Sequence, residues 1–236
     1  MVMKTLVGIV PRGVLFEDTN PRKDVYYAGN NYGKRIYECG GIPLTLLPDD
    51  GYIPEEVLDN FDSFLICGGN KMWPYHFEVI HHAITKGKPL LGICLGMQCI
   101  CCYFELLDYI EETGCHHKGL FEAFEEMRQD PEHRLEKFPG HQYEHIRGRE
   151  EETKHDVKLL SGSHIHRFIG KDVIKAGSFH NYRVKNISPR LTVSGRAKDG
   201  TIEVVEYGEN VLGCQFHPEI DDKLMPIFDI LFKNQK

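Results

Sequence analysis

The order of apolar segments predicts an α/β protein in which a mostly parallel central sheet lies between layers of helices. In the first half of the chain, short runs rich in Val, Ile and Leu alternate with longer amphipathic segments, the rhythm of β/α units. Several of the runs are apolar throughout, as expected of strands buried on both faces of a parallel sheet. The second half contains short strands joined by turns, which predicts additional antiparallel strands there.

The first half has four predicted strands and three predicted helices. The strands are Thr5–Val10, Pro43–Leu47, Ser63–Cys67 and Leu90–Ile93. The helices are Tyr32–Cys39, Tyr75–Lys86 and a long one from Leu95 to about Tyr109. Gly40 and Gly87 directly follow the first two helices, a position where glycine commonly ends a helix.

The second half begins with an acidic excursion at about 111–155, where histidines, prolines and glycines accumulate and only Glu122–Lys137 has helical character. Four short strands follow: Val173–Ala176, Leu191–Ala197, Ile202–Tyr207 and Val211–Phe216. Asp199-Gly200 between two of them indicates a hairpin, and Asp221–Phe232 is a predicted closing helix. With no internal repeat or linker, we expect one domain over 1–236.

The charge balance excludes some classes of protein. The 236 residues carry 28 Lys and Arg against 35 Asp and Glu, a formal charge of -7. General nucleic-acid binding and attachment to anionic membranes need clustered basic residues instead. No apolar run reaches the roughly 20 residues of a membrane helix, and the amino terminus lacks a signal-peptide pattern. We therefore expect a cytoplasmic protein, and a homo-oligomer stays open.

The eight cysteines have irregular spacings and are interpreted as thiols, mostly packing residues. We interpret Cys99, Cys101 and Cys102 as packing residues rather than as a zinc knuckle. The pair His116-His117 beside Cys115 fits a solvated loop better than a set of ligands. We predict no metal site and no cofactor.

The segment Gly92-Ile93-Cys94-Leu95-Gly96 lies where a buried strand meets a helix. Small residues on both sides of a central nucleophile permit the tight turn that exposes it at the carboxyl end of a sheet. A helix amino terminus also favours the thiolate of Cys94, the reactive form of a cysteine. The alternative is a buried cysteine in a glycine-flanked turn.

A thiolate that attacks a carbonyl needs an acid and base, and an oriented histidine serves best near neutral pH. His217 directly follows the last predicted strand, and Pro218 and Glu219 come next. The carboxylate of Glu219 can accept a hydrogen bond from the imidazole and fix its tautomer. The alternative is an ordinary turn.

The nucleophile segment, extended through Met97-Gln98, and Gly213-Cys214-Gln215-Phe216-His217-Pro218-Glu219 resemble the catalytic motifs of class I glutamine amidotransferase-like proteins. Within that superfamily the chain is similar to the γ-glutamyl hydrolases of the peptidase C26 group, which include the γ-glutamyl-γ-aminobutyrate hydrolases. Cys67-Gly68-Gly69, Ser178-Phe179-His180 and the segment from Ala197 to Glu203 also resemble that group. The resemblance implies a flavodoxin-like fold of three layers, with helices on both sides of a mostly parallel central sheet.

The resemblance also implies site residues. Cys94 is the implied nucleophile, His217 the acid and base, and Glu219 the group that orients the imidazole. The implied oxyanion hole consists of backbone N–H groups of Leu95 and of Gly69 in the Gly68-Gly69 loop. The substrate is a small γ-glutamyl compound, which the resemblance places near Gln98, Ser178 and His180.

Departures from the family pattern leave the leaving group open. The usual His-His-Gln is replaced by His180-Asn181-Tyr182, and Asn70-Lys71 stands where an Asp is usual. Sequences with Ser-Phe-His-Asn resemble hydrolases of γ-glutamyl nucleotide phosphoramidates. Arg12, at the end of the first strand, can meet an anionic leaving group, or it is a solvated surface residue.

We therefore hypothesise a cysteine hydrolase that cleaves the γ-glutamyl amide of a small metabolite through a thioester and releases glutamate and an amine. Two alternatives are a glutaminase subunit that supplies ammonia to a partner synthase, and a hydrolase of a γ-glutamyl nucleotide phosphoramidate. A third is a binding module that kept the fold and lost catalysis.

Overall fold

A computed structural model describes residues 4–16, 20–114, 119–142 and 154–235. The strands are β1 (Leu6–Val10), β2 (Arg12–Val14), β3 (Val25–Tyr27), β4 (Ile42–Thr45), β5 (Ser63–Ile66), β6 (Leu90–Ile93), β7 (Glu136–Gln142), β8 (Lys154–Leu159), β9 (Val173–Gly177), β10 (Phe179–Arg183), β11 (Thr192–Ala197), β12 (Ile202–Tyr207) and β13 (Val211–Cys214). The α-helices are α1 (Asn30–Glu38), α2 (Glu55–Leu58), α3 (Pro74–Thr85), α4 (Leu95–Thr113), α5 (Leu120–Met127) and α6 (His164–Ile169).

Nine strands form the main sheet, in the order β4-β1-β5-β6-β13-β12-β11-β8-β9. The pairs from β4 to β13 are parallel, and those from β13 to β9 are antiparallel. Two further pairs lie outside this sheet, β2 with β3 and β7 with β10. The predicted parallel sheet with antiparallel strands in the carboxyl-terminal half is confirmed.

Each face of the main sheet has its own apolar core. One core includes Phe77 of α3, Ile100 of α4 and Phe124 of α5. The other includes Ile36 of α1 and Ile165 of α6, together with the apolar residues of the last segment. All four residues of β5 and all four of β6 are buried, because helices cover the sheet on both sides. The three-layer fold is confirmed.

The carboxyl-terminal half differs from the prediction in three places. The predicted helix over Glu122–Lys137 ends at Met127, and β7 follows a short 3-10 turn at Pro131–His133. The final segment, Asp222–Gln235, is 3-10 rather than α-helical and contains Pro226, which has no backbone N–H to donate. Strands β7, β8 and β10 and helix α6 of this half were not predicted, nor were β2, β3 and α2 of the first half. Cys115, His116 and His117 lie outside the described residues.

Within the described ranges, no helix is both long enough and apolar enough to cross a membrane. The seven cysteines in those ranges are free thiols, and all except Cys39 are buried. Their interpretation as thiols is confirmed for these seven.

Candidate active site

Cys94 occupies a sharp turn between the end of β6 and the start of α4. Its backbone has φ 54° and ψ -105°, in the left-handed range of φ that a residue with a side chain adopts only under strain. Its N–H donates to the carbonyl oxygen of Cys214 at 2.7 Å, which ties the turn to β13. The turn places the sulfur at the carboxyl end of the parallel strands and at the amino terminus of a 19-residue helix.

The glycines on either side of Cys94 are required by close packing. A Cβ on Gly92 would lie 2.6 Å from the carbonyl carbon of Gly96, and a Cβ on Gly96 would lie 2.5 Å from the carbonyl oxygen of Ile66. Backbone atoms fill both spaces, so neither position accepts a side chain without a shift of the main chain. The small residues that identified this segment are thus explained by sterics.

His217 reaches Cys94 because β13 lies next to β6 in parallel. Its Nδ1 lies 2.7 Å from Oε1 of Glu219, and the imidazole lies close enough to Cys94 for the sulfur to raise its pKa. Since Nδ1 pairs with the carboxylate, Nε2 is the nitrogen available to the sulfur. The Nε of Arg35 donates to the backbone oxygen of Glu219 at 3.0 Å and holds that turn in place.

Burial by itself would lower the pKa of His217, but the Glu219 carboxylate and the Cys94 sulfur raise it well above its usual value. The imidazole therefore carries its proton at neutral pH. At Cys67 and Cys99, two other buried cysteines, burial raises the pKa of the thiol well above its usual range. A protonated histidine beside a cysteine is the pairing that activates a thiol.

The Gly68-Gly69 loop lies against both residues. A Cβ on Gly68 would lie 3.1 Å from Cε1 of His217 and 3.4 Å from Cβ of Cys94. The N–H of Gly68 donates to the hydroxyl of Tyr32 at 3.1 Å. Gly69 packs against Leu95, whose Cδ2 would be 2.8 Å from an added Cβ. The structure thus brings the two predicted oxyanion residues, Gly69 and Leu95, side by side next to the sulfur.

Tyr32 was missed by sequence reasoning. It lies on α1 and is buried; burial, followed by the nearby Glu219 carboxylate, raises the pKa of its phenol well above the usual value. The phenol therefore keeps its proton at neutral pH. No local motif marks Tyr32, because it approaches the site only through the packing of α1 on the sheet.

These residues lie on a cavity of about 1070 Å³. Of the predicted site residues, it is lined by Arg12, Gly69, Asn70, Cys94, Leu95, Gln98, His180 and His217. Glu219 lies behind His217. Ser178 is fully buried and does not line the cavity, and its hydroxyl has no hydrogen-bond partner among the residues that the structure describes.

Strand β10 forms the cavity wall that faces Cys94. The Sγ of Cys94 lies 3.9 Å from the carbonyl oxygen of Phe179. Nε2 of Gln98 donates to the carbonyl oxygen of Tyr182 at 3.0 Å, and Nδ1 of His180 lies 2.9 Å from that same oxygen. Gln98 also donates to Oε1 of Gln215 at 3.0 Å. Gln98 and His180 thus hold β10 in position.

The opposite wall comes partly from the region that the sequence predicted as an acidic excursion. It is apolar at Phe121 and Phe124 and basic at Arg128 and Arg134. The Arg128 guanidinium lies 5.5 Å from the ring centre of Phe124. This wall was not predicted, because α5 carries no motif and packs on α3 and α4 through ordinary apolar contacts.

A cysteine at a strand-to-helix turn, a histidine and glutamate after the neighbouring strand, and a mostly parallel three-layer sheet define a class I glutamine amidotransferase-like protein. The family profile described as Peptidase C26 matches residues 74–219, well over half of the chain. The protein belongs to the peptidase C26 family.

Two curated relatives are CTP synthases. The one from Methanothermobacter thermautotrophicus is 26% identical over 90% of this chain and 40% of its own length. The one from Geobacter metallireducens is 31% identical over 71% of this chain and 32% of its own length. The chain thus spans less than half of these relatives. A crystal structure of a Thermotoga maritima glutamine amidotransferase has a TM-score of 0.59 at 16% identity, covering 99% of this chain and 84% of the other, which shows a shared fold.

Proposed function

We propose that this protein is a cysteine-dependent hydrolase of γ-glutamyl amides. The Cys94 thiolate attacks the γ-carbonyl carbon, and the resulting oxyanion accepts hydrogen bonds from the N–H groups of Leu95 and Gly69. Loss of one such donor costs about 3–4 kcal/mol of transition-state stabilisation in other enzymes.

The proton on His217 goes to the departing nitrogen as the C–N bond breaks, which leaves a γ-glutamyl thioester on Cys94. The imidazole, now neutral, takes a proton from a water molecule, and the hydroxide attacks the thioester. Glutamate leaves, and the proton on His217 restores the starting state. Glu219 keeps its charge throughout and stabilises each imidazolium.

One observation carries this proposal: Cys94 lies beside an imidazole whose Nδ1 is 2.7 Å from a buried glutamate. Membership of the peptidase C26 family supports the same chemistry. A binding module without catalysis has no need of a strained cysteine backbone or of a histidine that keeps its proton.

Glutamate release from a panel of γ-glutamyl amides tests the proposal. We expect turnover of at least one member and its loss in Cys94→Ala. Cys214→Ala is the matched control, because Cys214 is also buried and free but lies on the adjacent strand and does not line the cavity. Turnover that survives Cys94→Ala contradicts the proposal, and so does a panel with no turnover by a folded protein.

The similarity to CTP synthases favours a second candidate, a glutaminase that supplies ammonia to a synthase partner. The chemistry at Cys94 is the same, and only the leaving group and the dependence on a partner differ. A glutaminase prefers free glutamine and is faster with its partner. A self-sufficient hydrolase prefers larger γ-glutamyl amides and is unaffected by added synthase.

The arginines that line the cavity, Arg12, Arg128 and Arg134, favour an anionic leaving group, as in a γ-glutamyl nucleotide phosphoramidate. Arg12 lies over the ring of Tyr27 at 5.2 Å and borders the Gly69 loop. We expect Arg12→Gln to raise KM about 10-fold for an amide of a phosphate-bearing amine, since hydrogen bonds to charged groups contribute about 1.5–3 kcal/mol. The KM for a neutral amide should change little. Arg22→Gln, which lies outside the cavity, should leave the KM of both substrates unchanged. Equal effects on both substrates contradict the anionic assignment.

A further inference from the structure

We propose that His141, His155 and Glu203 form a binding site for a divalent transition-metal cation of the zinc class, separate from the catalytic residues. The sequence predicted no metal site. The three residues come from β7, β8 and β12, so only the folded chain brings them together. One donor atom from each lies within 4.8 Å of the others.

Glu203 is the centre of this cluster and is fully buried. Its Oε1 lies 2.9 Å from Nδ1 of His141 and 3.2 Å from Nε2 of His155. A buried carboxylate with two imidazole nitrogens close to one of its oxygens offers the donor types that zinc prefers.

The second oxygen of that carboxylate has no partner among the residues that the structure describes. Oε2 of Glu203 is buried and makes no hydrogen bond to any described residue. A buried carboxylate oxygen without a donor is unfavourable, and a cation at the carboxylate removes this deficit. Ligand atoms about 2.0 Å from a tetrahedral metal lie about 3.3 Å apart, close to the two distances from Oε1.

A second carboxylate stands behind His141. The Nδ1 of His141 faces Glu203, and the Nε2 of the same ring lies 3.4 Å from Oδ2 of Asp199. The Thr201 N–H donates to Oδ1 of Asp199 at 3.0 Å and fixes its orientation. A carboxylate on the far nitrogen of a histidine is the usual outer partner of a metal ligand, because it sets the tautomer and raises the basicity of the ring.

A positive side chain near the cluster is already neutralised. Nε of Arg183 lies 2.6 Å from Oε2 of Glu136, and its guanidinium lies over the ring of Phe138. His180 completes the surroundings, with Nε2 at 3.3 Å from Nδ1 of His141. Since His180 also lines the cavity, a cation here ties β7 to the main sheet and fixes the β10 wall opposite Cys94.

The chain offers a matched control cluster. Glu55, Asp59 and His82 also have donor atoms within 4.8 Å of one another. Both carboxylates are exposed, and the ammonium of Lys86 lies 3.2 Å from Glu55 and 3.8 Å from Asp59. A lysine in that position competes with a cation, so we expect no metal at this second cluster.

The test measures Zn²⁺ alone, in competition with a chromophoric chelator, on protein stripped of metal. All proteins carry Cys94→Ala, so that the catalytic thiol cannot bind zinc. We expect the parent to bind one equivalent, Glu203→Gln and His155→Gln to bind about 100-fold more weakly, and Asp199→Asn to bind about 10- to 100-fold more weakly. Asp59→Asn should bind like the parent.

Co²⁺ gives a readout that a merely structural role would not change. The parent should show the intense visible absorption of tetrahedral cobalt, and folded Glu203→Gln should not. A parent that binds no equivalent of Zn²⁺ overturns the proposal and makes the cluster a hydrogen-bonded His–Glu network. Equal binding by folded Glu203→Gln and parent also overturns it. These measurements do not depend on turnover, so they stand whether or not the protein hydrolyses γ-glutamyl amides.

Discussion

The parallel and antiparallel halves of the main sheet contribute differently to the candidate site. The parallel strands β5, β6 and β13 end beside the proposed reacting groups, and glycines without room for a Cβ fix the turn there. The antiparallel half and its β7–β10 ribbon supply one cavity wall and the His–Glu cluster. From this difference we infer that the proposed chemistry belongs to the parallel edge and that the proposed choice of leaving group belongs to the antiparallel side.

His217→Asn should have the largest effect, because it removes the proton donor and the positive charge beside Cys94. We expect turnover to fall on the order of 10⁴-fold or more, with little change in thermal unfolding. If turnover falls less than 10-fold, the acid lies elsewhere, and the parallel edge is not the catalytic one.

Glu219→Gln should reduce turnover by about 10²- to 10⁴-fold and change its pH dependence. Glu219 raises the pKa of His217. In the wild type we therefore expect activity to fall as the pH rises through that raised pKa. The variant lowers the pKa of His217, and the alkaline limb of kcat/KM should move to lower pH. The stability from the imidazolium–carboxylate pair follows the same direction: it is present at low pH and is lost as the pH rises through the folded-state pKa. If the alkaline limb of kcat/KM is unchanged in Glu219→Gln, a group other than His217 causes that limb.

Gly96→Ala tests the steric account of the turn. An added Cβ would lie 2.5 Å from the backbone oxygen of Ile66, and overpacking of this kind costs about 1–3 kcal/mol. Each kcal/mol lowers Tm by about 2–4 °C in a protein of this size. Gly33→Ala is the control: its nearest contact would be an ordinary 3.8 Å, and replacing a glycine within a helix adds about 0.5–1 kcal/mol. A stable Gly96→Ala variant contradicts the steric account.

Tyr32→Phe should have the smallest effect. It removes the acceptor of the Gly68 N–H and loosens the predicted oxyanion loop, which we expect to lower kcat about 3- to 10-fold, or about 0.5–1.5 kcal/mol. Tyr103→Phe is the control, since that buried hydroxyl pairs with His81 at 2.9 Å, away from the cavity. The control should lose stability without losing turnover. Equal losses of turnover in both variants would make Tyr32 a packing residue only.

The sequence predicts the parallel half well because its signals are local. Leu90–Ile93 is a strand with the predicted bounds, and apolar runs, a glycine-flanked cysteine and a His-Pro-Glu turn are readable without partners. The antiparallel half depends on contacts across the fold. In strand β10 only His180 is buried, so no apolar run marks it, and its partner β7 lies in a region where Pro131 and many charges obscure any pattern.

The same reason explains which site residues were found. Cys94 and His217 stand in motifs, whereas Tyr32 and Arg128 line the site only because helices pack in a particular way. Gln98 and His180 were predicted at the cavity and lie there, but their bonds to the Tyr182 carbonyl could not be foreseen. Glu203 and His155 are adjacent only because β8 and β12 flank β11.

The most direct test of the central claim is to locate the covalent bond. A diazoketone analogue of glutamine forms a stable thioether with a sulfur that accepts a γ-glutamyl group, and peptide mass spectrometry identifies the cysteine. We predict one equivalent on Cys94, formed rapidly at neutral pH and absent from Cys94→Ala. Labelling of another of the eight cysteines, or equal labelling of Cys94→Ala, would contradict the assignment of Cys94 as the nucleophile.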